Sequence, residues 1–328
     1  MNLAHVLDPA GRALVRLAPH VQCHTNTHDG VSWLNGWSDI GVSCRSGVNH
    51  PDSAYLSAWY ITPQQHIIET IVSLVVLAPL VGFYYRKCSE GLRAHAVQDR
   101  TEKKRFPVLQ KVWGGLLLLS VVLQVWFKWN YNHVSSHPAY LAQPCHVHSV
   151  AMALTAFSDA SWSRGLLHVS ATLWWGPFLA FVAPDLPASA LEVVVFWIQH
   201  TLMLCIIIAR VLTGSNWMYR DFWWNTVGYV LLTCYHFWFL APVSLVTGIN
   251  VATMMVPPDP LETFGAWYRP AWTVCCGLLH LFAVSVVNGA AAMAGVLPAK
   301  PRRHEITNGN IYVSTAEVKI QQSLHANL

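Results

Sequence analysis

Charged residues are scarce in this chain. Aspartate, glutamate, lysine and arginine make up 11% of the 328 residues, whereas 54% are hydrophobic. A chain so poor in charge cannot hide its apolar residues in a soluble core, which excludes an ordinary soluble domain. The formal net charge of +4 gives no reason to expect nucleic acid as a partner. The composition therefore predicts an integral, multi-pass membrane protein.

The sequence also lacks the local signatures of several large enzyme classes. It shows no internal repeat, no phosphate-binding loop and no Ser/His/Asp hydrolase motif. Any chemistry must then come from polar residues that lie within or at the ends of apolar runs.

Apolar runs of roughly 17 to 25 residues, the length that crosses a bilayer, predict an all-α bundle of about seven transmembrane helices. The predicted spans are 66–85, 108–127, 145–157 with a few flanking residues, 165–183, 191–212, 222–246 and 271–296. They define three regions, a polar N-terminal region over 1–62, a membrane domain over 63–297 and a polar tail over 298–328.

Lysine and arginine set the predicted orientation. A dense basic cluster runs from Arg86 to Lys111 in the loop after the first span, and such loops stay in the cytosol. This places the N-terminus in the lumen or outside and the C-terminus in the cytosol. We expect the endoplasmic reticulum or another endomembrane. Cys23 and Cys44 then lie on the oxidising side, where a disulfide between them is able to form.

Ionisable residues in or at the ends of the spans mark the functional layer, because such groups are expensive in lipid and tend to face a cavity or a partner. Helices begin near Glu69, Cys145 and Glu192 on the predicted lumenal side, and several histidines lie roughly two to three turns deeper. A hydrogen bond between helices is an equally good explanation for any one histidine. The polar set is Glu69, Lys128, His148, His168, Glu192, His200, Asn225, His236 and His280.

The segment Gln-Pro-Cys-His at 143–146 carries the most specific chemical signal. Pro144 suits the first position of a helix, so Cys145 is expected at the positive end of the helix dipole, which favours a thiolate. The N–H groups of His146 and Val147 are predicted to receive an oxyanion. Ser149, four residues on, is expected to orient the thiol, and His146 to line the site from the side.

A series of short motifs supports a family resemblance from about residue 59 to residue 269. Their order and spacing resemble those of the transmembrane protein 164 family, seven-helix eukaryotic membrane proteins associated with phospholipid acyl transfer. The motifs are Gln64-Gln65 with Glu69, Phe127-Lys128, Pro144-Cys145-His146, Leu191-Glu192, Ile198-Gln199-His200, Tyr235-His236-Phe237, Leu245-Val246-Thr247 with Asn250, Asp259-Pro260 and Trp267-Tyr268-Arg269.

The resemblance implies a cysteine acyltransferase that moves an acyl chain between phospholipid and lysophospholipid and needs no cofactor. Cys145 would carry the chain as a thioester, and His200 would assist by removing the thiol proton. Cys275 stands where a histidine is expected in the last helix, so no role is carried over to His280. The supporting residues are His146, Ser149, Glu69, Glu192, Lys128 and His236.

Other classes remain open at this point. A zinc-dependent membrane hydrolase would hold its metal with three histidines, but it would want a His-x-x-x-His pair where His280 stands alone. A haem protein could take its axial ligands from His200, His236 and His280. A receptor or transporter is the non-enzymatic alternative. Against it, the last span has no lysine for a retinal Schiff base, and no paired Gly/Pro-broken helices are evident.

Overall fold

The computed structural model describes residues 61, 63–95, 107–130, 137–158, 160–182, 184, 189–212, 222–247, 251–254, 257 and 259–293. Every regular element in these ranges is helical, which confirms the all-α prediction. The tail over 298–328 lies outside the described residues, as do Cys23 and Cys44, for which the sequence leaves a disulfide open.

The longer elements are nine α-helices in the described ranges. They are α1 (Pro63–His95), α2 (Pro107–Asn130), α3 (Pro144–Phe157), α4 (Ser161–Thr172), α5 (Trp175–Val182), α6 (Ala190–Leu212), α7 (Phe222–Cys234), α8 (Ala241–Thr247) and α9 (Tyr268–Met293). A π-helical segment, Tyr235–Leu240, joins α7 to α8. Short 3₁₀ segments occupy His137–Ala142, Val251–Thr253 and Asp259–Trp267.

Six continuous helical stretches are long and apolar enough to cross a membrane. The third predicted span corresponds to α3, which has 14 residues. At 1.5 Å per residue such a helix is about 21 Å long, short of a hydrocarbon core of about 30 Å. Six long spans and one short helix bear out the prediction of about seven helices. The six stretches are Gln65–Glu90, Val108–Asn130, Trp162–Val182, Ala190–Ala209, Phe222–Ser244 and Thr263–Met293.

The span predicted over 165–183 is two helices, α4 and α5. Pro177 has no N–H, so it cannot donate to the carbonyl of Leu173 four residues earlier, and its ring crowds that carbonyl. The N–H of Gly176 donates to the carbonyl of Leu173 instead, at 3.0 Å, and the chain forms a tighter turn there. Beside the break, Trp175 and Pro177 are buried and Gly176 between them is exposed.

The sixth predicted span is also irregular. In the π-helical segment the N–H of Ala241 donates to the carbonyl of His236, five residues back. Pro242 follows and cannot make the regular bond to Trp238. Single π turns inside α-helices frequently occur at functional sites, and this one carries His236.

Contacts between helix ends show that several ends gather on one side of the bundle. Lys128 at the end of α2 pairs with Glu192 at the start of α6. Arg269 at the start of α9 pairs with Glu69 in the second turn of α1, at 3.0 Å. The hydroxyl of Tyr235 donates to the carbonyl of Ala142, just before α3, at 2.7 Å. We call this side the site end.

The two ion pairs are linked through a small apolar cluster. The Lys128 ammonium lies 5.5 Å from the centre of the Tyr140 ring. Tyr140 packs in one cluster with Met254, whose carbonyl accepts a hydrogen bond from Arg269. The helix starts near Glu69 and Glu192, which the sequence places on one side of the membrane, therefore do lie at the same end of the bundle. That this layer faces the lumen stays a prediction.

Candidate active site

Cys145 lies at the start of α3, as predicted. Pro144 is in the first turn and Gln143 is the N-cap residue. The side chain of Cys145 is half-buried and packs against the core cluster that includes Met152 and Met203. This core fixes the thiol at a helix start, away from bulk water.

Two polar side chains contact the thiol. Its sulfur lies 3.7 Å from Oε1 of Gln143 and 3.9 Å from Nδ1 of His146. Adjacent helix residues point about 100° apart, yet the imidazole of His146 reaches the sulfur of Cys145. A thiol and an imidazole are therefore in contact at the start of α3.

Gln199 holds the imidazole of His146 in place. Its side-chain Nε2 lies 3.2 Å from Nδ1 of His146 and donates to the hydroxyl of Ser149 at 2.8 Å. The Ser149 hydroxyl in turn lies 2.8 Å from the carbonyl oxygen of Cys145 and 3.2 Å from the sulfur of Met203. Gln199 thus connects α6 to the first two turns of α3.

Gln199 and Gln143 are site residues that the sequence reasoning missed. Both belong to motifs that were singled out, Ile-Gln-His and Gln-Pro-Cys-His, yet neither was given a role. A buried glutamine is a signal, since an amide with no exposed surface must find partners. Gln199 has a relative exposure of 0%.

The predicted oxyanion donors are wrong. The N–H groups of His146 and Val147 both donate to the carbonyl of Gln143, at 3.0 and 3.4 Å. The reason is local, because the carbonyl of an N-cap residue accepts the first bonds of its own helix. These two amides are already engaged when a substrate would arrive.

His200 lies next to Gln199 on α6 and is buried. Its Nδ1–H donates to the carbonyl of Phe196 at 2.8 Å, and its ring centre is 4.2 Å from that of Phe196. This leaves Nε2 as the acceptor nitrogen of a neutral ring. Successive helix residues point about 100° apart, so Gln199 and His200 face different neighbours. The role of His200 stays a prediction.

Glu69, Glu192 and Lys128 all belong to buried ion pairs. The side chain of Glu192 is 2% exposed and that of its partner Lys128 is 14% exposed. Arg269, which pairs with Glu69, also donates to Nδ1 of His66 at 2.9 Å. Removing one partner of such a pair leaves a buried charge and costs about 3–5 kcal/mol. These residues hold the helix ends together around the thiol.

A cavity of about 230 Å³ lies beside the start of α3. His236 lines it from the π-helical segment. Its Nδ1–H donates to the carbonyl of Leu232 at 2.8 Å, which leaves Nε2 as the acceptor. Pro144, the neighbour of Cys145, lines the same cavity. The full lining is Pro144, Trp175, Gly176, Tyr229, Leu232, Thr233, His236, Phe237, Ala252, Met254, Arg269, Trp272, Thr273 and Cys276.

His280 is committed to the fold. Its Nδ1 accepts from the indole N–H of Trp175 at 3.3 Å, and its Nε2–H donates to the carbonyl of Asn225 at 2.8 Å. Neither nitrogen is left for a metal or a haem. His168 is buried with its ring edge-on to Trp224, 5.9 Å away between centres. In the part of the chain that the structure describes, no three His, Cys, Asp or Glu side chains are grouped closely enough to hold a metal ion.

Comparison with known proteins places the chain in a family. The profile of the TMEM164 family matches residues 60–287, which includes every element from α1 to the first 20 residues of α9. The chain therefore belongs to the TMEM164 family, as its motifs indicated. No solved structure matches the chain.

Proposed function

We propose that this member of the TMEM164 family is a membrane-embedded phospholipid acyltransferase that carries the acyl chain as a thioester on Cys145. One observation carries the proposal. A half-buried thiol at a helix start contacts an imidazole that a buried amide from another helix holds in place. Many unrelated enzymes activate a nucleophile in this way, with a base in contact with it and a third group that orients the base.

In the first half-reaction the thiol proton moves to Nδ1 of His146, and the thiolate of Cys145 attacks the carbonyl carbon of a phospholipid ester. The Gln199 amide turns over in this step, so that its Oε1, which has no hydrogen-bond partner at rest, accepts the new Nδ1–H in place of the donating Nε2. The carbon–oxygen bond then breaks. The departing lysophospholipid alkoxide takes the proton from the imidazolium, and the acyl chain remains on sulfur. The positive end of the α3 dipole supports the thiolate.

The developing oxyanion needs a donor other than the engaged amides of α3. The Gln143 side chain lies next to the sulfur and carries an amide NH₂ group that can turn toward an oxyanion. We therefore assign Gln143 the oxyanion role.

In the second half-reaction a lysophospholipid hydroxyl gives its proton to an imidazole, and its oxygen attacks the thioester. The carbon–sulfur bond breaks, and the thiolate takes the proton back from the imidazolium, which restores the thiol and the neutral imidazole. As the family resemblance implies, His200 assists. Both lipids reach such a site through the bilayer, which limits hydrolysis of the thioester by water. We propose an endomembrane such as the endoplasmic reticulum as the location, with phospholipid and lysophospholipid as partners and no cofactor.

The test is transfer between lipids in membranes that contain the full chain. A phospholipid with a deuterated acyl chain is mixed with a lysophospholipid acceptor, and the labelled phospholipid product is measured by mass spectrometry. We expect product from the wild type and from Cys205→Ala, which removes an exposed thiol outside the cavity, and none above background from Cys145→Ala. Product formation by Cys145→Ala at the wild-type rate would overturn the proposal.

A further inference from the structure

The cavity beside α3 is a groove between the π-bearing span and α9. One wall consists of Arg269, Trp272, Thr273 and Cys276, which follow one face of α9. From the first to the last of these residues the helix rises about 10 Å. The opposite wall is the face of α7 and the π-helical segment that contains Tyr229 and His236. The groove is therefore elongated along the helices.

The two walls run in opposite directions, which fixes what lies at each end. The Tyr229 hydroxyl donates to the carbonyl of Thr273 at 2.5 Å, and further along α9 His280 bonds to the carbonyl of Asn225. Residues that come later in α9 therefore contact residues that come earlier in α7. His236, Arg269 and Pro144 lie at the site end of the groove, and Tyr229 and Cys276 lie at the deep end.

Polarity follows the same direction. The site end has an imidazole, a guanidinium and the helix start that carries the thiol. The deep end is lined by Trp175 and Cys276, which pack in one apolar cluster, and by the exposed Gly176. A binding site that is polar at one end and apolar along its length fits an amphiphile whose tail points inward.

Size and charge narrow the occupant to one chain. A volume of about 230 Å³ is below the range of about 300–1,000 Å³ that holds drug-sized ligands, so a two-chain phospholipid does not fit inside. Arg269 is paired with Glu69, so its charge is already compensated. A phosphate head group gains little by entering and remains at the membrane surface.

Gly176 lies where the deep end of the groove is open. The residue lines the cavity and is exposed, and a Cβ built on it meets no atom within 4 Å. An acyl chain is therefore able to extend past Gly176. A larger side chain at this position would fill the opening without displacing protein.

We propose that this groove binds the acyl chain whose ester carbon is presented to Cys145, and that the absence of a side chain at Gly176, at its deep end, lets long chains be accepted. The proposal rests on the proposed acyltransferase function and adds a specificity determinant to it. The ester lies at the mouth, between Pro144 and His236, and the chain runs along Trp272 toward Trp175.

The test compares Gly176→Leu with Gly115→Leu. Gly115 lies in α2, also has no atom within 4 Å of a built Cβ, and is not part of the groove. Each full-length variant receives an equal mixture of donors with a long and a short acyl chain. We expect Gly176→Leu to lower the ratio of long-chain to short-chain transfer about tenfold, the usual range for a pocket that loses room for a methylene or more. Gly115→Leu should keep the wild-type ratio.

A second readout separates this proposal from the proposed function. Lipids that copurify with Cys145→Ala are compared by mass spectrometry with those of Cys145→Ala/Gly176→Leu, in which no turnover is needed. If wild-type protein shows no transfer but the retained chains become shorter, the acyltransferase function fails and the groove stands. If transfer occurs and neither the transfer ratio nor the retained chains change, the groove proposal is overturned. Gly176→Ala, with a smaller expected shift in the same direction, serves if the leucine variant does not fold.

Discussion

His146 and His280 are both buried, with relative exposures of 7% and 1%, yet they occupy different chemical settings. His280 uses both ring nitrogens for bonds to α5 and α7. His146 has its Nδ1 between the amide of Gln199 and the thiol of Cys145. Burial alone therefore does not distinguish a structural histidine from a reactive one, whereas an account of each nitrogen's partners does.

The two cysteines near these histidines differ in the same way. Cys276 is buried in the middle of α9 and packs in an apolar cluster with Trp175. Cys145 lies at a helix start with an imidazole in contact. A thiolate is favoured by a helix start and a nearby base and is disfavoured in apolar surroundings. The comparison predicts that only the site end is chemically active.

The largest expected effect comes from removing the thiol of Cys145. Cys145→Ala should abolish acyl transfer, and Cys145→Ser should retain the fold but react very slowly, because a hydroxyl is a much weaker nucleophile at neutral pH. Cys205→Ala, which removes an exposed thiol of α6 outside the groove, is the control and should keep the transfer rate. Initial rates in membranes, normalised to expression, provide the measurement. Equal losses in Cys145→Ala and Cys205→Ala would erase the chemical distinction of the site end.

The next effect separates the two imidazoles on the predicted reaction path. The sequence resemblance favours His200 as the base, whereas the thiol contact favours His146. We expect His146→Ala to lower the rate of acyl-enzyme formation by about 10² or more, the usual worth of a general base. His200→Ala should slow this step less and affect transfer to the acceptor. Single-turnover labelling followed by addition of acceptor separates the steps. A larger loss of labelling in His200→Ala would return the base to His200.

His280→Ala should act on stability rather than on chemistry. It leaves the indole N–H of Trp175 and the carbonyl of Asn225 without their partner, and an unsatisfied buried group costs about 1–3 kcal/mol. Thermal unfolding in detergent should therefore begin at a lower temperature. Transfer per folded molecule should stay near the wild-type value. A variant with unchanged thermal stability and no transfer would place His280 in the chemistry.

Gln199→Ala should have the smallest effect of the four. Gln199 touches the imidazole and not the reacting atoms, so its loss should lower kcat about tenfold by letting the ring turn, with little change in KM. Gln199→Asn, whose shorter amide does not reach both His146 and Ser149, should not rescue the rate. Steady-state kinetics of both variants measure this loss of kcat. An unchanged kcat with a raised KM would assign Gln199 to lipid binding instead.

Much of the fold and part of the site were open to prediction from the sequence. Apolar run lengths give the helices, Pro144 gives the start of α3, and the gathering of Glu69 and Glu192 at one end follows from alternating spans. The break before α5 also has a signal in the sequence, because Pro177 removes a helix hydrogen bond. The occupied amides of α3 also follow from general helix geometry, since an N-cap carbonyl accepts the first bonds.

The contacts around the thiol could not be read in advance. Periodicity places Gln199 and His200 on neighbouring faces of α6, but the rotation of the helix about its axis decides which one meets α3. That rotation depends on packing of the core around Met203, with residues from distant parts of the chain. The groove beside α3 likewise depends on a break in one span and a π segment in another.

The central claim is that Cys145 carries the acyl chain. The most direct measurement is incubation of the wild-type chain with a labelled phospholipid donor and no acceptor, followed by peptide mass spectrometry before and after hydroxylamine. If Cys145 carries the chain, the peptide that contains Cys145 bears a hydroxylamine-sensitive acyl group, and this group disappears when lysophospholipid is added. Turnover of the donor by the wild type without any acyl group on Cys145 would contradict it.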